Sequence, residues 1–121
     1  MSKNLTLSIK QEFFDKILAG TKKIESREIR PNSNTKYCEV DKDGYILTYE
    51  DDSIIPRHYD TITFLTGAYT GTRPRMVVEV KGAEIFEVED ENGDLITYEH
   101  EGETYNTAFI DYHLGEILEK P

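Results

Sequence analysis

The chain has 121 residues, of which 31% are charged, and its formal net charge is −10. This length is typical of one domain with its own core, so we predict a single domain over residues 1–121. Eight tyrosines and five phenylalanines supply that core with buried area, which excludes a disordered chain. The one cysteine, Cys38, excludes an intrachain disulfide, and no apolar run is long enough for a signal peptide or a membrane span. We therefore expect a cytoplasmic protein with no membrane partner.

The charge is unevenly distributed along the chain. Residues 1–36 carry a net charge of +4, and residues 37–121 carry −14. Non-specific affinity for nucleic acid comes from many cation–phosphate contacts, so broad non-specific binding is not expected of this chain. A phosphate-bearing ligand would bind locally, in the basic N-terminal segment.

The first two elements follow from periodicity. Leu5, Leu7 and Ile9 alternate with polar residues, which predicts a half-buried first strand. A helix is predicted from Gln11 to Ala19, ending at Gly20, because glycine adopts the left-handed conformation that closes a helix. Its core-facing stripe is predicted to be Phe13, Phe14, Ile17 and Leu18.

A charged strand follows this helix. Lys23, Glu25 and Arg27 share one face by alternation, while Lys22 lies in the turn before them. Two or three cations therefore stand beside one carboxylate. By themselves these residues indicate a solvated strand with an ion pair of small value.

The middle and end of the chain contain turn signals between strands. Residues 31–58 are predicted to be a peripheral insertion, with a hairpin over 37–52 that turns at Asp43-Gly44. Residues 44–50 are echoed by 93–99, which we interpret as two hairpin return strands and not as a duplicated domain. Further turns are predicted at Asn92-Gly93 and Glu101-Gly102, a long strand over 76–89, and a final strand over 107–118.

The loop over 66–74, which follows a strand at 60–65, is the most ligand-like in the sequence. Its glycines and threonines let a ligand approach the backbone, and Tyr69 offers a ring on which a base can stack. Arg73 adds a cation. The loop lacks the Gly-Lys-Ser/Thr of a Walker loop, and an ordinary connecting loop is the alternative interpretation.

The sequence predicts no metal site and no cofactor. His58, His100 and His113 are far apart, and no His-x-x-His or Cys-x-x-Cys pair is present. The acidic run 87–91 lacks a calcium-loop pattern and is interpreted as a solvated hairpin.

The spacing G-x-K-x-x-E-x-R, carried by Gly20, Lys22, Glu25 and Arg27, resembles the signature of the ASCH domain family. The resemblance extends in order to residues 7–19, 64–74 and 113–118. ASCH domains are related in fold to the PUA RNA-binding domains. The resemblance therefore implies an α+β fold: a PUA-like, partly open β-barrel of five or six main strands, with one helix after the first strand and peripheral hairpins.

The resemblance also implies a function. ASCH domains are generally proposed to bind RNA, which implies binding of RNA or a nucleotide-like ligand in a cleft between the signature segment and the 66–74 loop. The implied ligand-binding residues are Lys22, Glu25, Arg27, Tyr69 and Arg73.

An enzymatic alternative comes from the same family. Some small bacterial members resemble amidohydrolases that act on acetylated cytidine nucleosides such as N4-acetylcytidine, which implies catalytic roles for Lys22 and Glu25. Glu25 stands where those enzymes have a threonine, and their downstream glutamate stays open among Glu79, Glu84 and Glu87. Because a neighbouring carboxylate stabilises an ammonium, residue chemistry favours a charged, binding lysine over a neutral, catalytic one. Protein interaction through the acidic hairpins is a third alternative.

Overall fold

The structure, a computed structural model, describes residues 3–67 and 73–121. It is mixed α+β and consists mostly of strands, which confirms the predicted fold class. The elements, in chain order, are β1 (Asn4–Ser8), α1 (Gln11–Leu18), β2 (Ile24–Ile29), α2 (Asn34–Tyr37), β3 (Thr61–Leu65), β4 (Arg75–Glu87), β5 (Thr97–His100), β6 (Glu103–Asn106) and β7 (Ala108–Glu119).

Five strands form one sheet in the order β1-β3-β4-β7-β2, and β5 pairs with β6 in a separate hairpin. β1 runs parallel to β3, with Leu5 opposite Ile62 and Leu7 opposite Phe64. β3 runs antiparallel to β4. The tail predicted as a strand is confirmed as β7, and the predicted 76–89 strand is observed as β4, two residues shorter at its C-terminal end.

The chain divides into two compact units. The first contains residues 1–25, 58–82 and 112–121, and the second contains 26–57 and 83–111. The first unit's sequence has nine Lys/Arg and seven Asp/Glu, while the second has five and 17, so their net charges are +2 and −12. The acidic excess therefore belongs to the second unit. The single domain and its 31–58 insertion stay predictions.

The first unit has its core between α1 and the alternating strand residues. Leu7, Phe14, Ile62, Phe64 and Met76 are each at most 2% exposed. Gly20 has φ +81°, which confirms it as the residue that closes α1.

The predicted apolar stripe of α1 is only half correct. Phe14 and Ile17 are buried, but Phe13 and Leu18 are each 37% exposed. Successive residues of a helix are turned by about 100°. A short helix that buries Phe14 and Ile17 therefore turns the preceding Phe13 and the following Leu18 towards its flanks.

The second unit contains two turns of matching geometry. The carboxylate of Asp41 accepts the backbone N–H groups of Asp43 and Tyr45, and that of Asp90 accepts those of Asn92 and Asp94. The glycines of both turns, Gly44 and Gly93, have positive φ. These contacts confirm both predicted turns, and they explain the 44–50 and 93–99 echo as one turn chemistry used twice. After the turn at Gly44 the predicted hairpin strands are observed only as isolated bridges, whereas the turn at Gly93 is followed by one such bridge at Leu95 and then by the strand β5.

Among residues 3–67 and 73–121, no helix is long and apolar enough to cross a membrane.

Candidate functional site

The turn after α1 directs Lys22 back onto the signature strand. The backbone N–H groups of Thr21 and Lys22 both donate to the carbonyl of Lys16, which wraps the chain tightly around the end of the helix. From there the Lys22 ammonium donates to the carbonyl oxygen of Ile24 at 2.6 Å and lies 3.2 Å from Oε1 of Glu25. The alternation of β2 turns Glu25 inward, so this carboxylate is only 6% exposed.

Burial of Glu25 is the largest departure from the solvated charged strand that composition indicates. Its apolar neighbour Ile24 is 42% exposed, so a carboxylate lies inside while an isoleucine lies outside. A buried carboxylate is costly unless it is paired and hydrogen-bonded, and Lys22 supplies a partner. Within the described residues, Ile24 and Glu25 take two of the three donors of the ammonium.

An open groove of about 540 Å³, which we call the lysine groove, lies beside this ion pair in the first unit. It is lined by Phe13, Lys16, Thr21, Lys22, Lys23 and Ile24. The ammonium groups of Lys16 and Lys22 lie 5.8 and 5.6 Å from the centre of the Phe13 ring, within cation–π range. The groove therefore combines three cations with an exposed aromatic ring.

Sequence reasoning placed Phe13 in the core and named neither Lys16 nor Lys23 as a site residue. The i, i+3 spacing of Phe13 and Lys16 on one helix was a usable signal, since such pairs meet on a helix surface. The contact of Lys22 with the same ring depends on how the Gly20 turn folds back.

Arg73 contacts different residues from those around Lys22. Its guanidinium donates to the hydroxyl of Ser8 at 3.1 Å and to the carbonyl of Thr66 at 3.4 Å. Ser8 precedes α1, whereas Lys22 follows its end, and eight helical residues rise about 12 Å. These contacts do not bring Arg73 to Lys22. Arg73 closes the base of its own loop, where the N–H of Thr66 donates to the carbonyl of Pro74.

The two predicted ligand-binding residues not yet described are Arg27 and Tyr69. Arg27 is half-buried on β2 and belongs to the second unit. Tyr69 lies outside the described residues. Of the predicted ligand-binding residues that the structure describes, Lys22 and Glu25 are in direct contact.

Metal-ligand clusters and thiols are two further kinds of group that can carry chemistry. In the part of the chain that the structure describes, no group of three or more His, Cys, Asp or Glu residues has the geometry of a metal site. Cys38 is buried, with 1% exposure, and burial raises the pKa of its thiol to about 11.

The burial of Cys38 predicts that its thiol reacts slowly. A thiolate is the reactive form of cysteine, so at pH 8 the native Cys38 should react with Ellman's reagent at least about a hundredfold more slowly than the urea-unfolded chain. The pKa of the Cys38 thiol is higher in the folded chain than in the unfolded chain. The folded state therefore loses stability as the pH rises from about 9 towards 11. Equal labelling rates for native and unfolded protein would contradict the prediction.

No family model, no curated protein and no solved structure matches this chain.

Proposed function

We propose that the first unit binds RNA or a nucleotide-like ligand, with phosphate held in the lysine groove and a base stacked on Phe13. The observation that carries the proposal is a groove in which Lys16 and Lys22 lie within cation–π range of one exposed aromatic ring and Lys23 supplies a third cation. Cations beside a stacking ring are the two elements that single-stranded nucleic acids require of a protein surface.

The ion pair of Lys22 supports a binding role. Glu25 and the Ile24 carbonyl hold the ammonium in place, which leaves one donor for a phosphate oxygen at little cost in side-chain entropy. The +2 charge of the first unit, against −12 for the second, also favours an anionic ligand on the first.

The proposal retains the finer elements implied by the ASCH resemblance. These are a PUA-like, partly open barrel, a cytoplasmic location, and ligand contacts from Tyr69 and Arg73. The contacts of Arg73 are with Thr66 and with Ser8, which precedes α1, and not with Lys22, which follows it. We therefore assign Arg73 to the part of the ligand nearest the 66–74 loop, and not to the phosphate in the lysine groove.

The binding proposal is tested by calorimetric titration with AMP, adenosine and a uridine pentanucleotide. We expect AMP to bind more tightly than adenosine, because only AMP carries phosphate. With three lysine–phosphate contacts, raising salt from about 50 to about 200 mM should weaken pentanucleotide binding roughly twentyfold. Lys16→Ala and Lys22→Ala should each weaken AMP binding by roughly three- to tenfold.

Lys120→Ala is the matched control, since it removes one exposed lysine of the same unit outside the groove. Its affinity for AMP should equal that of the unaltered chain. Equal binding of AMP and adenosine, or equal losses in all three lysine variants, would refute a phosphate site in the groove.

Hydrolysis of an acylated nucleoside such as N4-acetylcytidine remains the alternative from another class. An ammonium engaged by a buried carboxylate has no free electron pair with which to act as base or nucleophile, so the Lys22–Glu25 geometry favours binding. Turnover of N4-acetylcytidine that disappears in Lys22→Ala, while the variant stays folded, would reverse this preference.

A further inference from the structure

The second unit contains a cavity of about 340 Å³ that the proposed nucleotide site does not use. Its lining includes Arg30, Asp52, Ile54, Glu87, Tyr98 and Tyr105. All of these residues belong to the second unit, and none lines the lysine groove. The volume lies at the lower end of the range of small-molecule pockets, about 300–1,000 Å³.

Two stacked tyrosines form one wall of this cavity. The rings of Tyr98 and Tyr105 pair across the β5–β6 hairpin, with centroids 5.8 Å apart and planes inclined by 22°. The guanidinium of Arg30 lies 4.1 Å from the centre of the Tyr98 ring, and its Nε is paired with Glu28. A planar cation therefore already lies on this aromatic wall, as expected of a surface that attracts positive charge.

The charges around the cavity favour the same sign of ligand. Asp52 and Glu87 are exposed lining carboxylates, and the one cation in the lining, Arg30, is already paired with Glu28, which lies outside it. Nearby, the Tyr105 hydroxyl donates to Glu103 at 2.9 Å, and this hydrogen bond is the main cause that raises the pKa of Tyr105 above its ordinary value. A unit of net charge −12 repels phosphate esters and concentrates small cations at its surface.

The other lining groups set the size and polarity of the ligand. Ile29, Ile54 and Ala108 supply apolar wall, and the side-chain amides of Asn34 and Asn106 supply hydrogen-bonding groups. A bare metal ion would leave the apolar wall uncovered. A short hydrocarbon stem covers that wall while its charged end faces the carboxylates.

We propose that this cavity binds a small organic cation, namely a guanidinium or primary ammonium group on a short apolar stem. The cationic end is held by Asp52, Glu87 and the tyrosine wall, and the stem lies against the isoleucines.

The test compares two probes of the same shape and different charge. Butylguanidine is a cation, and butylurea is its neutral counterpart. Calorimetric titration of the full chain should show saturable one-to-one binding of butylguanidine, roughly tenfold or more tighter than butylurea. Asp52→Asn, Glu87→Gln and Tyr98→Leu should each weaken butylguanidine binding by roughly three- to tenfold. Asparagine tolerates the positive φ of residue 52, which is 68°, so Asp52→Asn keeps the turn while removing the charge.

Matched controls separate the cavity from the general acidity of the unit. Asp43→Asn and Glu91→Gln remove the same charges at exposed turns outside the lining, and Tyr45→Leu removes a tyrosine that is 73% exposed. These variants should bind butylguanidine like the unaltered chain. Equal affinity for the two probes, or equal losses in the cavity and control variants, would overturn the proposal. Lys22→Ala should leave butylguanidine binding unchanged, so this outcome is independent of the nucleotide site.

Discussion

Replacing Phe14 by alanine is expected to lower the free energy of unfolding by about 3–5 kcal/mol. Phe14 is 2% exposed, and with Ile17 it attaches α1 to the core of the first unit. Truncation to alanine removes buried area and leaves a cavity in a closely packed site. Urea unfolding followed by far-ultraviolet circular dichroism measures the loss.

Phe13→Ala is the matched control on the same helix. Because Phe13 is 37% exposed, this change should lower stability by less than about 1 kcal/mol, while weakening AMP binding through loss of the stacking ring. The two neighbouring phenylalanines are therefore expected to separate stability from binding. Equal destabilisation by the two substitutions would show that the helix is not anchored through Phe14.

The second large effect is expected at the Lys22–Glu25 ion pair. Lys22→Met keeps most of the apolar stem and removes the ammonium from beside a carboxylate that is 6% exposed. Loss of a hydrogen bond to a buried charged group costs about 1.5–3 kcal/mol, and we expect a loss of that size. Glu25→Gln, which removes the charge and keeps the shape, should cost less than Lys22→Met.

A double-mutant cycle isolates the pair. If the two side chains interact as the 3.2 Å distance indicates, Lys22→Met/Glu25→Gln should be more stable than the sum of the single changes allows, with a coupling of about 1–2 kcal/mol. Lys23→Met, at the exposed neighbouring position, should change stability by less than about 0.5 kcal/mol. Single-variant effects that add within about 0.3 kcal/mol would contradict a direct interaction.

The two proposals assign ligands of opposite charge to the two units. The lysine groove combines three lysines with the Phe13 ring, and the tyrosine-walled cavity combines two carboxylates with stacked rings. In both places an aromatic ring supplies contact area and charge supplies selectivity. The net charge of −10 averages over this division and therefore does not describe either site.

Local chemistry by itself determined the strand character of the tail, the end of α1 at Gly20, and the turns at Gly44 and Gly93. Each of these features depends on alternation or on the conformational freedom of glycine within a few residues, and such signals act without distant partners. The spacing of Lys22 and Glu25 in the sequence also predicted that these two residues are neighbours.

Only the tertiary structure decided which face of each element is buried. It placed Phe13 at the surface beside Lys16 and Lys22, turned Glu25 inward, and directed Arg73 to Ser8. It also brought Arg30 to one cavity with Tyr98 and Tyr105, which lie far from it in the chain. Periodicity fixes which residues share a face, but burial of that face depends on the apolar surface that other elements present to it, and this surface comes from residues distant in sequence.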